Sequence, residues 1–361
     1  MKNLDENFYL TYKEGINISL FITNNCNLSC SYCIVWDILE WIKKINYIDE
    51  EFIVNFMNFI SKIQSRNINL KIVWWEPLLN KDMLFLLLKE LIKQWILNSI
   101  YITTNSIFVD KIFLLKIRNI NLNNVIKFKI SFDWPFSISR WGVLINNKIL
   151  DKISLIIKIL WSKSLIISSV VSVDNFSFFY KNIKYILLHI KPGELMYALE
   201  KGALWDTKTV KVLKKEYLKL LLFYKNFKKD TKIDFGEIED LEFRPCSKWL
   251  DHFITYEWMI YPCYSYIRKW FLNNKFELSI DKIDTEDKYI KLLKWWLDIY
   301  KQKYNSWKSK RRIDFSHCYY TKLDSNDLEN TFNNLSNFSI FKKYCYDKLY
   351  KWRGSNWNLH I

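Results

Sequence analysis

The stretch "INISLFITNNCNLSCSYC" at 16–33 decides how this chain is read. It opens with an apolar, β-rich run at 16–22, which is the pattern of a strand in a well-covered sheet. The run ends, and Cys26, Cys30 and Cys33 follow in the loop. Working outward, similar runs recur as "NLKIV" (69–73), "SIYITT" (99–104), "IKFKISF" (126–132), "SLIISSVVSV" (164–173) and "ELMYAL" (194–199). Stretches with helical periodicity lie between them, at 49–64, 80–96, 107–118, 146–161 and 176–190. Strand and helix alternating through six repeats predict an α/β fold, a partial (β/α)6 TIM-like barrel with a parallel sheet.

The barrel is expected over 1–200, followed by a helical connector over 201–234, where 208–229 is strongly helical. Residues 235–361 read differently: irregular, rich in aromatic residues, and carrying four of the seven cysteines. They predict a small C-terminal domain. The amino-terminal "MKNLDENFYLTYKEG" has no signal-peptide pattern. The longest apolar run, "MLFLLLKELI" at 83–92, is too short and too charged to cross a bilayer. A cytoplasmic protein with no membrane partner is expected.

The formal net charge is +16. A basic surface can serve nucleic acid, but here the charge is scattered apart from "KSKRR" at 308–312. Lys, Ile and Asn are abundant, while alanine occurs only at Ala198 and Ala203. An AT-rich coding sequence accounts for that balance, so nucleic acid is not the expected partner. Glycine and tryptophan are both abnormal. Average usage predicts about 25 glycines in such a length; there are 6, with 17 tryptophans. Many of those tryptophans fall in turns and at element ends. Reading them as glycine, written as Trp because UGA codons were translated by the wrong table, restores a normal count.

The cysteine spacing is Cys-x3-Cys-x2-Cys. Three thiolates so placed can hold three irons of a cubane and leave the fourth open. Zinc or buried free thiols are the competing readings. Zinc prefers four ligands in paired spacings, and a disulfide does not suit a cytosolic chain.

This segment resembles the signature of the radical S-adenosylmethionine (SAM) enzymes. The resemblance implies a [4Fe–4S] cluster on Cys26, Cys30 and Cys33 whose open iron chelates SAM. Reductive cleavage of SAM then yields a 5′-deoxyadenosyl radical that abstracts a substrate hydrogen. Tyr32 matches the aromatic residue near the adenine. "WWEPLL" at 74–79 is similar to the Gly-Gly-Glu-Pro motif, with Trp74 and Trp75 in the glycine slots and Glu76 and Pro77 in place. There the backbone and Glu76 must approach the SAM ammonium, and a Cβ would block the approach. Asn105 stands where the family often has Thr-Asn-Gly. "SFDWP" at 131–135 is similar to Ser-x-Asp-Gly-Pro, with Ser131 at a SAM-contacting position, Asp133 beside it and Trp134 in the glycine slot. Arg140 matches an arginine that can pair with the SAM carboxylate. Taken singly, Ser131, Asp133 and Arg140 are equally explained by turn and surface chemistry.

Further on, Cys246 and Cys263, with Trp258 read as glycine, resemble the opening of the auxiliary-cluster domains called SPASM and twitch. The chain lacks the dense second cysteine run of a full SPASM domain. With Cys318 and Cys345 the set implies a twitch-like domain and one auxiliary [4Fe–4S] cluster. Ordinary core cysteines at 318 and 345, or zinc, are the alternatives. Sulfatase-maturing members carry an Asp after the cysteine matching Cys263; Tyr264 stands here, which argues against formylglycine formation. His189, His252, His317 and His360 are scattered and read as structural. No general acid or base is assigned.

The expectation is an enzyme that modifies a peptide or protein, served by an electron donor such as a flavodoxin or ferredoxin. Two alternatives are a small-molecule enzyme of the same superfamily (a sugar-type dehydrogenase or a molybdenum-cofactor-type cyclase) and, if the tryptophans are genuine, a cluster-binding module without turnover.

Overall fold

A computed structural model describes residues 15–28, 30, 33, 45–63, 67–73, 75–94, 97–133, 142–200, 203–227, 232–234, 251–255, 259–261 and 278–283, with scattered positions in 285–295 and 330–345. Six strands alternate with helices as the apolar runs predict. They are β1 (Ile16–Leu20), β2 (Ile68–Ile72), β3 (Leu97–Thr104), β4 (Ile126–Ser131), β5 (Leu165–Val171) and β6 (Glu194–Leu199). All pair in parallel, in chain order. The result is an α/β half-barrel of the partial (β/α)6 type.

Between the strands run α1 (Glu50–Lys62), α2 (Lys81–Ile92), α3 (Lys111–Ile120), α4 (Gly142–Leu160) and α5 (Phe179–Tyr185). Their starts are set by capping. Asp49 accepts from Phe52 N–H at the start of α1, and Asp110 from Phe113 N–H at the start of α3. The second cap explains a difference from the sequence pattern, which began the helix at 107. Ile107–Val109 are apolar, yet Val109 N–H closes a turn on Ser106 O at 3.0 Å and the helix waits for Asp110.

On α1, Phe52, Phe56, Phe59 and Ile60 recur at helical spacing and are buried against the sheet. Ile68, Leu70, Ile72, Phe128 and Ile130 face the same core. The alternate residues of β2 and β4, Asn69, Lys71, Lys127 and Lys129, are only half-buried. One face of these strands packs on the core and the other is less covered, so they alternate instead of being apolar throughout.

The helical 208–229 stretch is α6 (Thr207–Asn226), which leads to β7 (Lys232–Asp234), parallel to β6. At the other edge β8 (Asp251–Ile254) pairs in parallel with β1 and continues as an antiparallel ribbon with β9 (Met259–Tyr261) and β10 (Leu278–Ser279). The whole makes a ten-stranded sheet. Among the described residues, no helix is long and apolar enough to cross a membrane.

Candidate functional site

Parallel strands end together, so loops from distant sequence meet at the carboxyl edge of the sheet. After β1, Phe21 N–H donates to Ile254 O at 2.8 Å, locking the strand exit to β8. Residues 46–48 then return antiparallel to 22–24: Ile48 N–H donates to Ile22 O at 3.0 Å, and Asn46 N–H to Asn24 Oδ1 at 2.7 Å. Thr23 Oγ1 adds a bond to Asn46 O at 2.9 Å. These bonds pinch shut the base of the cysteine loop.

Cys26, Cys30 and Cys33 are half-buried thiols, and Cys33 N–H donates to Cys30 O at 3.0 Å in a tight turn. Burial above all pushes the Cys26 thiol up to about 12, with the nearby Glu76, Cys30 and Cys33 contributing and a bond from Leu28 N–H opposing the rise. The three thiols are thus close enough to interact. Among the described residues, no three His, Cys, Asp or Glu converge on a single ion. A cubane asks for something else, since each cysteine takes a different iron. The donor set fits such a cluster.

Glu76 is fully buried beside this loop. Its Oε1 accepts from Thr104 Oγ1 at 2.6 Å and Leu78 N–H at 3.0 Å, and its Oε2 accepts from Asn105 N–H at 2.8 Å. Burial raises its pKa to about 7 despite these three donors. A ligand cation placed against the carboxylate would pull that value back down. Pro77, also buried, starts the short turn that leads into α2. Trp75 takes φ 48° and packs edge-to-face on Phe21, ring centroids 5.8 Å apart.

Residues 20–133 match the Radical SAM superfamily. Members of that superfamily are enzymes catalysing radical reactions, and their domain holds a SAM-binding [4Fe–4S] cluster. The matched segment runs from the last residue of β1 to Asp133 and so holds all three thiols and Glu76. Among curated proteins, none matches the sequence. Two solved structures of anSMEcpe share the fold. One, with bound AdoMet, aligns at a TM-score of 0.64 and 14% identity over 93% of this chain and 94% of that one. The other, with bound AdoMet and Cp18Cys peptide, aligns at 0.62 and 14% over 93% and 98%.

Within the matched segment, Asn105 follows β3 and sits beside Glu76, while Ser131 ends β4, half-buried and paired with Ser168. Asp133 is buried two residues on. Its Oδ1 accepts from Val170 N–H at 2.7 Å, and Ser169 Oγ donates to its carbonyl at 3.5 Å. Burial raises the Asp133 carboxyl well above its ordinary value, and Glu200, just past β6, raises it more. Glu200 is itself raised by burial, with Asp174 adding to the effect, and accepts from Val173 N–H at 3.2 Å. The sequence reading passed over Glu200. Its signal was a carboxylate directly after a strand run. Asn25, Asn27 and Thr104 were missed as well, being short polar residues that say nothing singly.

Of the other predicted site residues, Tyr32, Trp74, Arg140, Cys246, Cys263 and Cys318 lie outside the described residues, as does Trp134. Cys345 is buried in the hydrophobic core beside Lys214 of α6, and burial raises its thiol. Its neighbours on the same segment pack on the barrel. Phe338 meets Tyr217 edge-to-face, and Asn334 Nδ2 donates to Trp205 O at 2.9 Å.

Proposed function

We propose that the protein is a radical SAM enzyme that holds a [4Fe–4S] cluster on Cys26, Cys30 and Cys33, cleaves SAM reductively and modifies a peptide or protein. The observation that carries this reading is the meeting of the thiol loop and the buried Glu76 carboxylate at one end of β1–β3, inside the segment that matches the superfamily. When bound, the cluster supplies the electron that cleaves SAM. The chain's own residues bind and orient. Glu76, fixed by three donors, meets the SAM ammonium. The backbone at 74 and 75, with Pro77, shapes the approach; Tyr32, Ser131, Asp133 and Arg140 complete the pocket. The peptide substrate rests on the shared fold with anSMEcpe, which binds AdoMet together with a peptide. A flavodoxin or ferredoxin is the proposed electron donor. Cys246, Cys263, Cys318 and Cys345 are proposed to hold one auxiliary [4Fe–4S] cluster in a twitch-like domain.

The reading includes glycine at many of the positions written Trp. Backbone geometry supports it at two. Trp161 directly follows α4 with φ 69° and ψ 160°, a region that is essentially glycine's alone, and its indole is 66% exposed. Trp75 also takes a positive φ. Trp205 differs on every count: it is fully buried, and its Nε1–H donates to Glu200 O at 3.1 Å. Trp205 is a genuine tryptophan on this reading, while 75 and 161 are glycines.

Anaerobic reconstitution of the chain with glycine at the reassigned positions, followed by an assay for 5′-deoxyadenosine, tests the activity. A reduced cluster without SAM cleavage would sink it. Iron and sulfide matching two clusters per chain support the auxiliary site, and one cluster's worth refutes it. Intact mass of native material decides the glycines.

A further inference from the structure

Two hydrogen bonds from other loops straddle Cys26. On one side Asn25 O accepts from Glu76 N–H at 2.9 Å. On the other, Asn27 Oδ1 accepts from Asn105 Nδ2 at 2.9 Å, across 78 residues of sequence. The Asn105 amide has one possible orientation. Its Oδ1 already accepts from Ile107 N–H at 3.0 Å in an Asx turn, so its NH2 must face Asn27. Asn105 N–H meanwhile donates to Glu76 Oε2 at 2.8 Å. Only 8% of Asn105 is exposed. Both ends of its side chain are thus engaged by protein, which suits a residue that holds its neighbours rather than a ligand.

We propose that Asn105 is a positioning residue. Its amide holds Asn27 and, together with the Glu76 N–H on Asn25, sets Cys26 at a constant place relative to the Glu76 carboxylate before any cofactor is present. The purpose of this clamp rests on the function proposed above. The clamp itself belongs to the metal-free chain. Cys26 is one of three thiols on a loop that could otherwise sample many conformations, and preordering it removes that entropy cost from cluster assembly. Cys30 and Cys33, joined by their own turn, are not held by it.

The test separates the clamp from the turn. Asn27→Ala removes the acceptor and leaves the Asx turn whole. Asn105→Ser keeps an oxygen for Ile107 N–H but cannot reach Asn27. Alkylation of the metal-free full-length chain by iodoacetamide is followed at each cysteine by fragment-ion mass spectrometry. Each variant is expected to speed Cys26 labelling about fivefold, the equivalent of about 1 kcal/mol for one lost neutral hydrogen bond. The double variant should add nothing further, and Cys30 and Cys33 should stay within about twofold of the parent. An unchanged Cys26 rate in Asn27→Ala, additive effects, or equal acceleration at all three thiols would overturn the proposal. Chelator-challenged iron retention in the reconstituted protein supplies the second readout: both single variants should lose iron faster than the parent by similar factors. A parent chain that takes up no iron defeats the proposed function, and the labelling pattern still decides the clamp.

Discussion

The rim over β1–β3 and the rim over β4–β6 each bury a carboxyl at the end of a strand, in opposite settings. Glu76 receives donors from Leu78, Thr104 and Asn105 and stands beside a thiol. Asp133 accepts from Val170 N–H and stands near a second carboxyl, Glu200. On the first rim the bonds run from loop to loop and bring the cysteine segment against β2 and β3. On the second they tie neighbouring strand ends and their turns to one another, as when Asn175 Nδ2 donates to Val170 O at 3.1 Å. Burial alone does not distinguish the two carboxyls; what converges on each does. The bonds on one rim hold a loop, and those on the other tie strand ends together.

The largest effect that tests this contrast is the loss of a thiol. Cys26→Ser is expected to reduce 5′-deoxyadenosine formation to background, whereas Asp133→Asn should leave the visible absorbance of the reconstituted cluster intact. Glu76→Ala comes next. It strands three donors, two of them backbone N–H groups, and should cost about 3 kcal/mol in denaturant unfolding of the metal-free chain. Asp133→Asn keeps an acceptor for Val170 N–H and should lie within about 1 kcal/mol of the parent at pH 5.5. If both carboxyl variants cost the same, the two rims do not differ as described.

The pH dependence sharpens the same comparison. Glu76 has a folded pKa of about 7 against an ordinary 4.5, so between those values the folded chain holds a proton that the unfolded chain has lost. Its contribution to stability is complete below about 4.5 and is lost as pH rises through about 7. Unfolding of the metal-free chain measured from pH 5 to 8 should show stability falling with pH. Asp133 contributes in the same direction. Glu76→Gln should flatten the slope, and a slope unchanged in that variant would assign it elsewhere. The smallest effect lies away from both rims. Trp161→Gly should stabilise the chain by about 1 kcal/mol by removing a left-handed non-glycine residue at the end of α4. No gain, or a loss, would mean that the indole packs usefully.

Much of the fold was legible because a strand in a parallel sheet writes its burial into consecutive residues. The runs at 16–22, 69–73, 99–104, 126–132, 164–173 and 194–199 each coincide with a strand to within two residues at either end. Helix starts were less visible, because Ile107–Val109 look helical by composition and only the Asp110 cap excludes them. The pairing of β8 with β1 was not legible. Nothing in "DHFI" at 251–254 names a partner more than two hundred residues away. At the site, Cys26, Cys30, Cys33 and Glu76 stood out because their chemistry is rare and their spacing local. Asn27 and Asn105 did not, since asparagine is common in this chain and a hydrogen bond between distant loops leaves no local pattern.

Sequence by itself therefore determined the strand–helix alternation, the thiol triplet and the excess of tryptophan over glycine, all of which are short-range in the chain. Only the tertiary structure decided that Glu76 is buried enough to hold a proton near pH 7, that Asn105 grips the cysteine loop, and that residue 161 adopts a glycine's backbone. Desolvation, hydrogen bonding across the sheet edge and helix termination all depend on what lies nearby in space, and spatial neighbours come from the closing of the sheet rather than from the order of residues.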